Sequence, residues 1–349
     1  GNSEKPKRRR DISYKLKGLQ TTRIGNTMDE QLTFFQVQTA FRRRKKKTRR
    51  ERFLETLEQV TPWKKLESKV SRYYAKAGPQ GGRPAYPLTV MLRIHVFQIL
   101  NNLSDPAMED TLYDMYAVRE YAGIGEEDRI PDETTILNFR HLLERHGLGR
   151  EMFSAINHQL RERGLMVREG TIVDATFIEA PSSTKNKEGS RDPEMKSGKK
   201  GSTWHFGMKM HAGVDAVSGL VHSLAFTGAN EHDITQAEKL LHGEEEKVYG
   251  DAGYTGLDKR PGMQAREIQS IISMRPGSRR RHPKGGVIDM IEKAKSRVRA
   301  KVEHLFHRVK VQFGYAKVRY RGIAKNANRL YLLSGFANLL RVRFRLSAG

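Results

Sequence analysis

Three acidic residues carry the chemistry that this sequence can do. Asp174 lies inside Thr171-Ile172-Val173-Asp174-Ala175-Thr176-Phe177, a β-branched run that reads as a strand. A carboxylate between Val173 and Ala175 is costly there unless it is paired or bound to a cation. Asp251 follows Lys247-Val248-Tyr249-Gly250 and precedes Ala252-Gly253, a turn that leaves its carboxylate exposed at a strand end. Glu303 sits in Ser296–Lys310, a stretch without Gly or Pro whose apolar residues recur at Val298, Val302, Leu305 and Val309. That spacing lays one apolar stripe along a helix and turns Glu303 onto a face shared with Arg299 and Lys310. Two strand-end aspartates and a helical glutamate are hard oxygen donors, suited to a pair of magnesium ions about 3.5–4 Å apart in phosphoryl transfer. Arg299 and Lys310 would then face substrate phosphates. Each acid also has a plain reading: a salt-bridged strand residue, a turn residue, and the i,i+4 partner of Arg299 on a solvated face. Their joint occurrence beside the right elements favours the site.

The elements that must position these residues change character near residue 165. Upstream, Pro87–Leu100 carries apolar residues at helical spacing, and Pro106 and Asp132 mark further helix starts. Thr134–Glu144 and Glu151–Arg163 read as helices joined across His146-Gly147-Leu148-Gly149, a turn compatible with a helix-turn-helix or with any helical bundle. Downstream, the Asp174 strand is followed by a polar loop over Pro181–Ser202. Then comes an alternating run, Trp204–Val214, turning through Asp215–Gly219 into its hairpin partner, Leu220–Phe226. Thr235–Leu241 reads as a helix capped by Asp233, Lys247–Gly250 and Ile268–Ser273 as strands, and Tyr331–Leu340 as a closing helix. Strand, hairpin, helix, two strands and a long helix make an α/β RNase H-like mixed sheet flanked by helices, preceded by a mostly α-helical domain. The expected division is a flexible basic leader over 1–27, a helical DNA-binding and dimerisation domain over 28–165, and a catalytic domain over 166–349.

The chain of 349 residues has a net charge of +24 and no cysteine. Its positive charge favours a polyanionic partner, nucleic acid before a membrane surface. The run Arg42-Arg43-Arg44-Lys45-Lys46-Lys47 reads as a phosphate-binding arm. Lack of cysteine excludes disulfides, thiolate catalysis and cysteine-based zinc sites. His205, His211 and His232 are too scattered to argue for zinc, and Trp204 and Tyr254 read as core aromatics before base-stacking ones. No P-loop, Rossmann fingerprint or Ser-His-Asp motif is present.

The stretch Ser296-x2-Arg299-x3-Glu303-x6-Lys310 resembles the Y-x2-R-x3-E-x6-K signature of bacterial insertion-sequence DDE transposases of the IS-five group. Ile172–Thr176, Trp204–Lys209, Tyr249–Tyr254, Phe313–Tyr315 and Arg319–Gly322 resemble other blocks of that group, and Pro87–Gly164 its helical N-terminal domain. The resemblance implies an RNase H-like domain that cleaves element ends and joins the 3′-hydroxyl to target DNA with two Mg2+ or Mn2+ ions. It makes Asp174, Asp251 and Glu303 the catalytic and metal-binding triad, with Arg299 and Lys310 on DNA. Lys209, Arg319 and Arg321 of the other blocks join the DNA-binding candidates. It further implies double-stranded DNA partners (terminal inverted repeats and target), a homodimer on DNA, and a cytoplasmic, nucleoid-associated protein. Ser296 replaces the signature tyrosine. Two other readings stay open: a nuclease or resolvase on the same fold, which cuts without joining, and a non-catalytic nucleic-acid-binding protein.

Overall fold

The computed structural model describes residues 46–74, 84–185 and 189–347. The chain divides into two units, Gly1–Thr48 and Arg49–Gly349, and every element below belongs to the second. The expected leader, Arg42–Lys45 of the basic run and most of the Gly-Pro loop before Pro84 lie outside the described residues.

Seven helices come first: α1 (Arg49–Val60), α2 (Trp63–Val70), α3 (Leu88–Leu100), α4 (Asp105–Asp114), α5 (Tyr116–Ala122), α6 (Glu133–Arg145) and α7 (Leu148–Glu162). Local signals set their starts. The Ser104 hydroxyl accepts from the Ala107 N–H at 3.3 Å, and the Asp132 carboxylate from the Thr135 N–H at 2.7 Å. Each satisfies an orphan amide of the first turn. Helix α3 is apolar on nearly every side, and its residues from Val90 to Leu100 are buried apart from Arg93, so it forms the middle of the bundle.

The sheet follows: β1 (Gly170–Glu179), β2 (Lys196–Lys200), β3 (Thr203–Asp215), β4 (Val221–Gly228), β5 (Lys247–Gly250) and β6 (Gln269–Ile272). β1 runs antiparallel to β3, and β3 antiparallel to β4; β5 is parallel to β1, and β6 parallel to β5. A central β1 joining an antiparallel half to a parallel half is the RNase H-like order. Short β2 also pairs with β3, over Thr203–Gly207, so the polar stretch expected as a loop contains a strand. The segment expected as a helix after β4 is a 3₁₀ helix, Asp233–Leu240, and Asp233 does not cap it.

Two long helices complete the unit, α8 (Val287–His307) and α9 (Ile323–Arg341). Helix α9 lies between α7 and β4 and is buried along most of its length. It joins the bundle and the sheet into one apolar core. Each of its fully buried leucines (Leu330, Leu332, Leu333 and Leu339) contributes about 1.5–3 kcal/mol. At Gly149 the approach to α9 is so close that a Cβ would lie 2.1 Å from the Asn328 carbonyl oxygen. The Gly149 N–H instead donates to Asn328 Oδ1 at 2.7 Å. The α6–α7 turn, with Gly147 at φ +60°, is thereby a packing device: Leu148, Met152, Phe153, Ile156 and Leu160 of α7 face the core. Asn338 of α9 does the same for the sheet. Its side-chain amide accepts from Val221 N–H at 2.9 Å and donates to Val221 O at 2.7 Å and to Asn157 Oδ1 of α7 at 2.9 Å. Among the described residues no helix is long and apolar enough to cross a membrane.

Candidate active site

The parallel pairing of β1 and β5 matches Ile172 with Tyr249. The pairing stops there, two residues before Asp174 and Asp251, and the Asp251 carboxylate is near enough to raise Asp174. β5 ends at Gly250, and Asp251 caps the 3₁₀ turn Ala252–Tyr254, its Oδ1 accepting from Gly253 N–H at 2.8 Å. It is both a turn residue and a strand-end acid. Helix α8 packs across β1 and β5, with Val302, Leu305 and Phe306 buried, which brings Glu303 near Asp174. The expected apolar stripe is therefore the buried one. The helix starts earlier than its periodicity suggested, at Val287, and ends at His307 in a π turn, Arg308–Gln312, which holds Lys310.

Asp174 is the electrostatic centre of this arrangement. Burial pushes its carboxyl up to about 6, and the nearby Asp251 and Glu303 carboxylates push the same way. The Ala175 N–H, 2.8 Å from Oδ1, and the Arg299 guanidinium, 3.4 Å from Oδ2, work against them. Arg299 thus pairs across to Asp174 rather than along its own helix to Glu303. Glu303 is exposed and has no ion pair within 4.0 Å among the described residues. Lys310 is half-buried; burial and Lys200 hold its ammonium below the ordinary lysine range, while Glu179 and Glu303 oppose them. The structure so brings Asp174, Asp251, Glu303, Arg299 and Lys310 into one neighbourhood.

The donors are all carboxylate oxygens, hard ligands of the sort Mg2+ and Mn2+ take. Three acids set against one direct cation leave uncompensated negative charge, which adds to burial in raising Asp174. A divalent cation would relieve it, so these residues fit such an ion. No choice of one oxygen from each of the three carboxylates brings all three within 4.8 Å of one another, so an ion would have to draw them together against their mutual repulsion.

The other expected DNA contacts are placed differently. Lys209 pairs with Phe177 in the sheet register, and Phe177 is an odd number of residues from Asp174, so Lys209 points to the opposite face. There its ammonium donates to Asp233 Oδ1 at 2.9 Å and to Glu231 O at 2.6 Å, above the Phe177 ring. Arg319 is exposed but donates to both Asn102 oxygens, at 3.1 and 3.3 Å. Arg321 is exposed and lines a cleft with Arg191. Lys46 and Lys47 are exposed. Ser296 donates its hydroxyl to the Glu292 carbonyl of its own helix at 2.8 Å, away from the role of a ring. Tyr254 is a core residue, fully buried with its hydroxyl unpartnered near Asp174 and Asp251, whereas Trp204 is 68% exposed. Sequence reasoning missed Glu179, which faces Lys310 and lies 3.2 Å from His205 Nδ1; nothing in its local sequence signals this.

Asp174, expected at a strand end, is the fifth of the ten residues of β1, whereas Asp251 does follow the end of β5. An RNase H-like sheet with one acid inside its central strand, a second just past the adjacent strand and a third on the helix packed across them is the arrangement of DDE nucleic-acid enzymes. Comparison with known families agrees: a family model described as a transposase DDE domain matches residues 166–339, and a second, described as a transposase domain, matches residues 41–142. The chain belongs to the DDE transposases of insertion sequences. No solved structure gives a significant match to it.

Proposed function

We propose that this transposase cuts the ends of its insertion element and joins the freed 3′-hydroxyl to target DNA at the Asp174–Asp251–Glu303 site. The observation that carries the reading is a buried Asp174 whose carboxyl is raised by burial and by the nearby Asp251 and Glu303. The three carboxylates would hold two Mg2+ or Mn2+ ions, which supply charge stabilisation at the attacking and leaving oxygens of an in-line displacement. Arg299 keeps Asp174 ionised and oriented, and then presents its remaining N–H groups to a phosphate. Lys310 supplies a second positive charge on the Glu303 side of the scissile bond. Water activation and 3′-hydroxyl attack are the same displacement with different nucleophiles, so one site serves both.

In this reading residues 28–165 form the region that binds terminal inverted repeats, as a homodimer pairing two ends in the cytoplasm at the nucleoid. The subgroup is the IS-five group. The run Arg42–Lys47 contacts phosphates. Replacing its six basic residues with glutamine is expected to flatten the salt dependence of DNA binding, by about 0.9 in log–log slope for every phosphate no longer neutralised. Fluorescence anisotropy across a salt series measures it, and an unchanged slope would show a run that merely faces solvent.

The deciding experiment follows labelled duplex carrying the element's own ends, in Mg2+, Mn2+ or EDTA, with wild type and Glu303→Gln. Metal-dependent cutting and joined products are expected from wild type. Both should drop by on the order of a thousandfold or more in the variant. Cutting without joining would replace transposition with a nuclease or resolvase activity. Tight binding with no cutting by either protein would leave a binding function alone.

A further inference from the structure

We propose that His222, His242 and Glu245 form a second metal site, which takes one divalent transition-metal ion of the zinc class. The three offer ligand atoms that all lie within 4.8 Å of one another, the sole such group among the described residues. His222 comes from β4, and His242 and Glu245 from the loop that leads into β5. They meet at Thr171, the second residue of β1, whose hydroxyl donates to Glu245 Oε1 at 3.0 Å and lies 3.1 Å from His222 Nε2. Thr171 and Asp174 are an odd number of residues apart, so the cluster sits on the sheet face opposite the acidic site and shares no residue with it.

Several features suit a metal better than a packing cluster. The His242 side chain is 7% exposed, and its Nε2 is buried without a hydrogen-bond partner. That nitrogen stands 3.4 Å from Glu245 Oε1, the spacing of two ligands each about 2.1 Å from one tetrahedral ion. The Glu245 carboxylate is fully buried and oriented from behind by the His242 and Gly243 N–H groups and the Thr171 hydroxyl. Outer contacts of this kind aim metal ligands. The His222 Nδ1 faces the Ser223 hydroxyl at 2.9 Å, so Nε2, which faces Thr171, is the nitrogen turned to the centre. Arg168, the cation nearby, is turned to Glu244 at 3.1 Å.

Two imidazoles and one carboxylate select zinc-like ions over magnesium. Loading has two structural costs. The Thr171 hydroxyl gives its proton to Glu245, so His222 Nε2 donates to that hydroxyl and must give up this bond and its proton to a metal. His242 Nδ1 receives the Glu244 N–H at 3.2 Å, so the ring proton must move to Nδ1 and that exposed amide must turn away, next to Gly243 at φ +97°. Occupancy would fasten the loop before β5, and hence the strand that presents Asp251, to the start of β1.

The test measures zinc bound per chain by equilibrium dialysis and mass spectrometry on the full chain, stripped with chelator, without DNA. An Asp174→Asn background removes the acidic site from the count. The expected result is one zinc per chain, not displaced by millimolar Mg2+, with a rise in melting temperature on loading. Adding His222→Asn or His242→Gln should weaken zinc binding at least tenfold and remove the rise; if one variant fails to fold, the other carries the test. Equal zinc binding with and without the histidine changes would overturn the site, as would no stoichiometric zinc in the Asp174→Asn chain. Neither outcome depends on cleavage activity.

Discussion

Asp174→Asn is expected to abolish strand cleavage and joining while making the metal-free protein more stable at pH 8, by about 1–3 kcal/mol. The carboxyl of Asp174 is raised to about 6 in the fold by burial and by Asp251 and Glu303. In the unfolded chain it returns to about 3.9. Below the lower value both states carry the proton and the group is neutral in the balance. Between the two, the native state keeps a proton that the unfolded state has lost, so stability falls as pH rises through that window. Above 6 the penalty for ionising the buried group is complete. Asparagine cannot ionise, so its advantage should be full at pH 8 and absent at pH 4. Thermal melts of both proteins in chelator at pH 4, 6 and 8 measure this. A shift in melting temperature of the same size at pH 4 and pH 8 would sink it. Added Mg2+ should narrow the gap at pH 8 by stabilising the wild type alone. The two effects would have one source: the group proposed to serve phosphoryl transfer is a cost to the fold until a cation or substrate arrives.

Asn338→Leu is expected to destabilise the protein by about 2–4 kcal/mol. The Asn338 amide engages both backbone polar groups of Val221 at the start of β4, with bonds of 2.9 and 2.7 Å, and holds Asn157 Oδ1 at 2.9 Å. A leucine of similar size keeps the apolar contacts but strands the Val221 N–H, and only the 3.1 Å bond from Asn157 remains on the Val221 carbonyl. Both asparagines are 2% exposed, so water cannot replace the missing partners. Chemical denaturation read by circular dichroism gives the number. A midpoint within error of wild type would show that the helices and sheet do not depend on this clamp. Zinc uptake at His222, adjacent to Val221, offers a second readout, since a loosened β4 start should weaken it.

Much of the acidic neighbourhood around Asp174 was legible in the sequence. Asp174 could be flagged because an acid is anomalous within a β-branched run, and Glu303 because the Val302–Leu305 stripe fixes which way its helix turns. The strand order could be anticipated because hairpin and helix signals alternate as an RNase H-like sheet requires. The 3₁₀ helix after β4 and strand β2 were not anticipated. Both are short and polar, and tertiary pairing overrode their local tendencies: Asp233 is engaged by Lys209 instead of capping, and Lys196–Lys200 adds to the free edge of β3. Lys209 in a matching block read like a DNA contact. A block identifies a position in the chain, whereas the face of the sheet depends on register, and the register turns Lys209 away from Asp174.

By itself, the sequence determined the basic character of the chain, the helical and sheet halves, and which element carries or precedes each of the three acids. These follow from charge count and from periodicity within one element, which neighbours along the chain suffice to set. Only the tertiary structure decided that α7 is a core helix against α9, that Arg299 reaches Asp174 rather than Glu303, and that His222, His242 and Glu245 converge behind the sheet. Those outcomes rest on groups distant in sequence meeting at angstrom separations. Local propensity carries no information about such distances; register and packing set them.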